Sequence, residues 1–234
     1  MLGDIRAAFT FLTIIPLGAP VGSQPGRAFA WFPLVGIVIG GLLAAIPRLS
    51  PFDRDISAFL ILLAWVMVTG GLHLDGFGDC CDGLPAAVAP GERLRIMKDP
   101  RVGVWAAAGL ILLLLGKWLA IRAAPTEMLV LAPVFGRWAM VLAAYRFPSV
   151  GDGMAAHFRA GLSFRQLIIA SIWVIVLFTH IEILALALGC ACFTLLFGAW
   201  AARRLGGGIN GDVCGAVCEL NELLCLLGIG LIFG

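Results

Sequence analysis

The chain has 234 residues, 61% of them hydrophobic and only 13% charged, with a mean hydropathy of +1.03. Soluble domains carry about 25% charged residues, so this composition excludes an ordinary soluble enzyme and indicates one polytopic membrane domain over residues 1–234. The net charge of +2, with no basic tail or aromatic-interleaved basic stripe, gives no footing for nucleic acid.

In chain order, the N-terminus MLGDIRAAFTFLTIIPLGAP places Asp4 beside Arg6 and has no clear cleavage site. It reads as a short interfacial or re-entrant helix ending near Pro16, not as a signal peptide. Seven apolar segments follow: Ala28 to Ile46, Ile56 to Leu74, Val102 to Ile121, Met128 to Tyr145, Leu167 to Thr179, Ile183 to Ala202 and Val213 to Phe233. Each is near the roughly 20 residues that cross a bilayer, the Leu167 segment being the shortest. The expected fold is therefore all-α, a membrane helical bundle of about seven transmembrane helices plus the N-terminal helix. Gly-, Pro- and Ser-rich breaks at Gly18 to Gly26, Ser50-Pro51, Pro90-Gly91 and Gly206 to Gly211 read as connections.

Lys and Arg set the orientation. Eleven lie on the N-terminal side and in the second, fourth and sixth loops, and three (Arg48, Arg54, Arg122) on the opposite side; Lys117 and Arg137 fall within spans. The bias places the N-terminus and the polar motifs in the cytoplasm and the C-terminus outside.

The densest chemistry lies between Gly70 and Arg101, in GGLHLDGFGDCCDGL and GERLRIMKDPRVG. Asp75, Asp79 and Asp82 stand at i, i+4 and i+7, so they share a helical face. Three clustered carboxylates repel one another unless a cation joins them, and hard oxygen donors suit Mg²⁺, which also takes water and substrate phosphate. The bland alternative is a solvated helix end that caps the next turn. Lys98 and Arg101 flank Asp99-Pro100 at the mouth of the next span and are placed to grip phosphate oxygens, whereas Arg93 and Arg95 fit the positive-inside bias alone. His73, at the end of a span, is a candidate base or substrate contact, or simply a satisfied helix-end residue.

A second motif, LGGGINGDVCGAVCELNELL, sets Asn210 and Asp212 before a helix whose N-terminal amides would face an anion; Asp212 also fits the cap of that helix. Glu219 and Glu222 then fall inside a span, where carboxylates are costly and usually functional. Arg137, also at membrane depth, suits either pairing with one of them or substrate contact. The seven cysteines lack the paired spacing of zinc sites and suit close helix packing.

WFPLVG at Trp31 to Gly36, GGLHLDGFGDCCDGL, RIMKDPRVG, APVFGRWAM and GGINGDVCGAVCELNEL together resemble the cobalamin synthases, the adenosylcobinamide-GDP ribazoletransferases of bacteria and archaea. The resemblance runs almost end to end. Cys80-Cys81 stand where small residues are common in that family, and Asn210 where Thr is common. It implies Mg²⁺-dependent transfer at a pyrophosphate. Adenosylcobinamide-GDP would be the donor, α-ribazole or its 5′-phosphate the acceptor, GMP the leaving group and adenosylcobalamin or its phosphate the product. Asp75, Asp79 and Asp82 would be the metal and catalytic residues. His73, Lys98, Arg101, Arg137, Asn210, Asp212, Glu219 and Glu222 would be the substrate contacts. Membrane lipid is a further expected partner, and an oligomer is compatible with the sequence.

Two other readings exist. A CDP-alcohol phosphotransferase would require a D-G-x₂-A-R continuation, but Asp75-Gly76 is followed by Phe77-Gly78-Asp79-Cys80. A secondary transporter would place its acids at the midplane on interrupted helices, which only Arg137, Glu219 and Glu222 suit.

Overall fold

The computed structural model describes all residues except 19–23, 50, 151–158, 178–179 and 234. Parts of the expected connections at Gly18 to Gly26 and Ser50-Pro51 lie outside the described residues. Among those described, the chain is helical throughout: α1 (Leu2–Leu12), a 3₁₀ turn (Pro25–Trp31) running into α2 (Phe32–Leu49), α3 (Arg54–Thr69), α4 (Leu72–Gly83) and α5 (Pro90–Met97). Then come α6 (Val104–Ala123), a 3₁₀ turn (Thr126–Val130) leading into α7 (Leu131–Arg146), α8 (Phe164–Ile175), α9 (Ile181–Arg204) and α10 (Gly211–Phe233).

Five stretches are long and apolar enough to cross a membrane: 25–49, 104–123, 126–146, 181–204 and 211–233. The expected Ile56 to Leu74 span is divided. Its first part is α3, started by Asp53, whose carboxylate accepts from the Asp55 and Ile56 amides at 3.0 and 2.9 Å. The helix stops at Gly70 and Gly71, whose φ values of 61° and 68° lie in the left-handed region that favours glycine. From there α4 leaves at 91° to α3. The expected Leu167 to Thr179 span corresponds to α8, only 12 residues and hence about 18 Å long, too short to cross by itself; Thr179 lies outside the described residues.

The core is built by α10, which packs on α4, α7, α9 and α6, while α2 packs against α7. Small residues permit these approaches. A Cβ added at Gly136 on α7 would stand 2.7 Å from Cγ of Glu222, and one at Gly36 on α2 would stand 2.6 Å from the Pro133 carbonyl oxygen. Such close backbone approach is how helices associate in a solvent as apolar as their own side chains.

Between α6, α7 and α10 lies a buried charge network. Lys117 Nζ donates to Glu219 Oε2 at 2.5 Å and also to Glu222; Arg137 donates to the other oxygen of Glu222. The Lys117 ammonium also sits 4.7 Å from the centre of the Trp65 ring. All four charged side chains are at most 5% exposed. Two cations against two anions make the cluster formally neutral, which is what its depth requires. Of the two roles open to Arg137 on sequence grounds, the structure shows pairing with Glu222. Lys117, counted only as a residue within a span, is the hub of the network.

Removing one partner of a buried charge pair leaves the other uncompensated, typically at a cost of about 3–5 kcal/mol. Lys117→Met should therefore lower the thermal stability of the detergent-purified protein sharply, and adding Glu219→Gln should restore part of the loss. Additive losses in the double variant would contradict the network.

Candidate active site

The site forms where α4 and the N-terminus of α10 meet. A Cβ at Gly76 would stand 2.9 Å from the Asp212 Cα, and one at Gly215 would stand 3.2 Å from the His73 carbonyl oxygen. Glycine at both positions lets the two backbones touch, carrying the carboxylates of α4 against Asp212. The start of α10 is fixed by Asn210, whose Oδ1 accepts from the Val213 amide at 3.1 Å while its Nδ2 donates to Asp212 Oδ2 at 2.6 Å. Asn210 is thus the cap of the helix. Asp212, a cap candidate in the sequence, instead turns its carboxylate to the site. Backbone bonds from Ile209 N to Pro148 O and from Val150 N to Ile209 O hold the loop before α10 beside the 148–150 segment.

Asp75, Asp79, Asp82, Lys98, Arg101, Asn210 and Asp212 all line one open cavity of about 1110 Å³. The acidic face anticipated on α4 therefore exists, and a fourth acid from a segment 130 residues away joins it. Mutual repulsion is visible in Asp79: burial, then the charges of Asp212, Asp75 and Asp82, push its carboxyl up to about 7. Among the described residues, no three His, Cys, Asp or Glu side chains form a self-sufficient cation cage. Two carboxylates suffice for Mg²⁺ when water and substrate phosphate fill its other positions. The oxygen donor set at the α4–α10 contact suits that kind of shared coordination.

Asp82 has a distinct position. Its two oxygens accept from the Gly103 and Ala106 amides at 2.8 and 2.9 Å. Gly103 begins α6 without a side chain to cap it, so Asp82 supplies the cap from α4, where a negative charge also complements the helix dipole. This matches the capping role weighed in the sequence, although the helix capped is a neighbour two elements on. The bond also pins the Lys98 to Arg101 turn against α4. Within that turn the Arg101 guanidinium makes paired bonds to Asp99 at 2.9 and 2.6 Å. Those bonds hold the Asp99 carboxyl down at about 2. Lys98 is exposed on the cavity.

The remaining candidates lie elsewhere. His73 is buried on a second, smaller cavity of about 230 Å³. Arg137, Glu219 and Glu222 line neither cavity and belong to the buried network beneath. Arg93, assigned to topology by its charge alone, is a buried clamp that donates to Ala86 O at 3.0 Å and Arg204 O at 2.9 Å. Arg204 in turn holds Leu84 O and Ala86 O, both at 2.8 Å. Together they fasten the chain after α4. Nothing in the spacing of Arg93 and Arg204 announces such long-range carbonyl contacts. Arg159, on the rim of the smaller cavity, also went unmarked in the sequence because it sits in an ordinary polar loop.

The sequence profile described as cobalamin-5-phosphate synthase matches residues 4–230. Among curated relatives, the adenosylcobinamide-GDP ribazoletransferase of Geotalea daltonii is 37% identical, covering all of this chain and 99% of its own. The proteins of the same name from Roseiflexus sp. and Pseudomonas syringae pv. syringae are 35% and 38% identical, covering 97% and 96% of this chain and 89% and 98% of theirs. No solved structure matches the chain.

Because Asp82 caps α6 and anchors the turn before it, Asp82→Asn should make that turn looser, one carbonyl oxygen replacing two acceptors. Limited trypsin digestion after Lys98 and Arg101 should accelerate several-fold with the rest of the protein intact. An unchanged cleavage rate would remove the anchoring role.

Proposed function

Because the chain belongs to the cobalamin-5-phosphate synthase family, we propose that it catalyses the transfer its relatives are named for. The adenosylcobinamide-phosphate portion of adenosylcobinamide-GDP passes to ribazole or its 5′-phosphate, and GMP is released. The observation that carries this reading is the convergence of four carboxylates, Asp75, Asp79, Asp82 and Asp212, with Lys98 and Arg101 on one open cavity.

The chemistry follows from that layout. The acceptor's ribose hydroxyl attacks the phosphorus that bears the cobinamide. A new P–O bond forms, the bond to the bridging oxygen breaks, and GMP departs with the electron pair. Asp75 reaches both cavities and takes the hydroxyl proton. Lys98 meets the negative charge on the pyrophosphate as a mobile point charge, while Arg101 offers the guanidinium edge that Asp99 leaves unused. Asp79 and Asp212, which line the open cavity where α4 and the start of α10 touch, are the residues that would hold Mg²⁺. When bound, Mg²⁺ supplies charge neutralisation at the phosphates and a template for in-line displacement. Asp82 contributes by fixing the cationic turn opposite these groups. Asn210 orients Asp212.

The transporter reading loses its support here, since Arg137, Glu219 and Glu222 are bonded to one another or to Lys117 and line neither of the two cavities. The reaction also fits a site on the cytoplasmic side of the inner membrane, where the Lys and Arg bias places α4, α5 and the start of α10.

GMP release from adenosylcobinamide-GDP, measured with the purified protein in nanodiscs at saturating Mg²⁺, tests the assignment. Asp79→Asn and Asp212→Asn should each lower turnover by about 100-fold or more, the scale of several kcal/mol expected for lost charge stabilisation. Exchanging Lys98→Arg together with Arg101→Lys keeps charge but alters geometry, and should cost about tenfold, or about 1.4 kcal/mol. Parental activity in the exchanged protein would reduce the pair to topology signals. For sidedness, an impermeant thiol reagent should reach the half-buried Cys81 in inverted vesicles and miss it in intact cells. The buried Cys80 should stay silent in both. Labelling of Cys81 from outside would reverse the orientation.

A further inference from the structure

The two cavities are not independent. Leu72, Asp75, Asn210, Gly211 and Asp212 line both, so they meet across a common acidic wall. Their other walls differ in chemistry. The open cavity is edged by Lys98, Arg101 and the acids. The smaller is lined by Phe11, Phe29, Phe147, Met140, Ala144 and the Gly215 backbone, with His73, Ser149 and Arg159 as its other polar groups. Its volume of about 230 Å³ is below the roughly 300 Å³ at which pockets for drug-sized ligands begin. A corrinoid or a dinucleotide does not fit it, whereas a single flat aromatic base does.

Among the described residues, three polar atoms in this chamber have no partner. Both ring nitrogens of His73 and Oγ of Ser149 are buried there without a hydrogen bond, although buried polar groups are nearly always bonded. His73 is 2% exposed and lines the chamber. An aromatic chamber with unspent hydrogen-bonding groups is the environment a heterocyclic base requires: faces for the ring and polar atoms for its edge.

Resting on the reaction proposed above, we infer that the smaller chamber binds the acceptor nucleoside, with His73 and Ser149 meeting the base edge and Arg159 meeting the 5′-phosphate of the phosphorylated acceptor. The ribose then lies at the shared wall, where its hydroxyl meets Asp75 and faces the donor phosphorus in the open cavity. Arg159 is suited to the phosphate because it is the sole Lys or Arg lining the chamber among the described residues. One of its N–H groups is already anchored on the Phe147 carbonyl, leaving the rest of the guanidinium fork for an anion. Donor and acceptor thus enter from different chambers and meet at the carboxylates. His73 and Arg159 act in acceptor recognition; proton transfer stays with Asp75.

Two variants separate this arrangement from a merely structural one. Ala144→Phe fills the chamber from α7, and should raise the KM for ribazole and its 5′-phosphate by about tenfold or more, the cost of about 1.4 kcal/mol of binding, while the KM for adenosylcobinamide-GDP stays within about twofold by the same scale. Arg159→Gln should raise the KM for ribazole 5′-phosphate by a similar factor and leave that for ribazole nearly unchanged. Unphosphorylated ribazole is the internal control for folding. A rise in donor KM, or an equal effect of Arg159→Gln on both acceptors, would overturn the assignment. Equilibrium binding of radiolabelled ribazole to the parent protein without donor keeps this test apart from the reaction itself. Saturable binding lost in Ala144→Phe, in a protein that released no GMP, would sink the reaction while sustaining the chamber. Absent or unaltered binding would sink the chamber alone.

Discussion

The constraint on which the site depends is the contact between α4 and α10 at Gly76 and Gly215. With any side chain at Gly76, a Cβ would meet the Asp212 backbone at 2.9 Å, and the two acidic segments would separate. The contact forces like charges together, so it is unfavourable by electrostatics and must be held by something else. That support comes from below and from the sides. Below, the Lys117, Glu219, Glu222 and Arg137 network locks α6, α7 and α10 into one register. At the sides, Asn210 caps α10, and Arg93 with Arg204 fastens the chain that leaves α4. On the proposed reaction a divalent cation and phosphates would relieve this repulsion, which would tie the fold's least comfortable feature to its chemistry.

Three physical kinds of charge bear on the site. Those of the Lys117, Arg137, Glu219 and Glu222 network are buried and matched to one another. Those at the helix ends, such as Asp53 and Asp82, satisfy amide groups that have no partner within their own helix. On the open cavity lies an excess of carboxylate facing a cationic turn, the unmatched charge that substrate and metal would complete in the proposed reaction. The turn itself is governed by two acids: Asp82 fixes its backbone and Asp99 fixes Arg101.

Much of this was legible in the sequence. The i, i+4, i+7 spacing of Asp75, Asp79 and Asp82 gave a common helical face because helix geometry is local, and the Gly-rich approach to Asn210 and Asp212 gave a helix start. Five of the apolar segments correspond to full-length helices. Less legible was the break at Gly70-Gly71, since apolar residues continue through Leu72 and Leu74 and hide the change of direction. Contacts distant in sequence were not legible at all. Asp82 capping α6, Arg93 reaching Arg204, and Asp212 joining the acids of α4 depend on helix packing, which local patterning does not encode. Lys117 was visible as a cation within a span, but its partners become evident only once α6 lies beside α10.

The central claim is that Asp79 and Asp212, brought together by that packing, hold a divalent cation shared with the donor's phosphates. Electron paramagnetic resonance of Mn²⁺ titrated into the purified protein with adenosylcobinamide-GDP measures this most directly. The account predicts saturable, donor-dependent Mn²⁺ binding that is lost in Asp79→Asn and in Asp212→Asn but retained in Asp82→Asn. Binding that persists in both of the first two variants, or that vanishes only in the third, would contradict it.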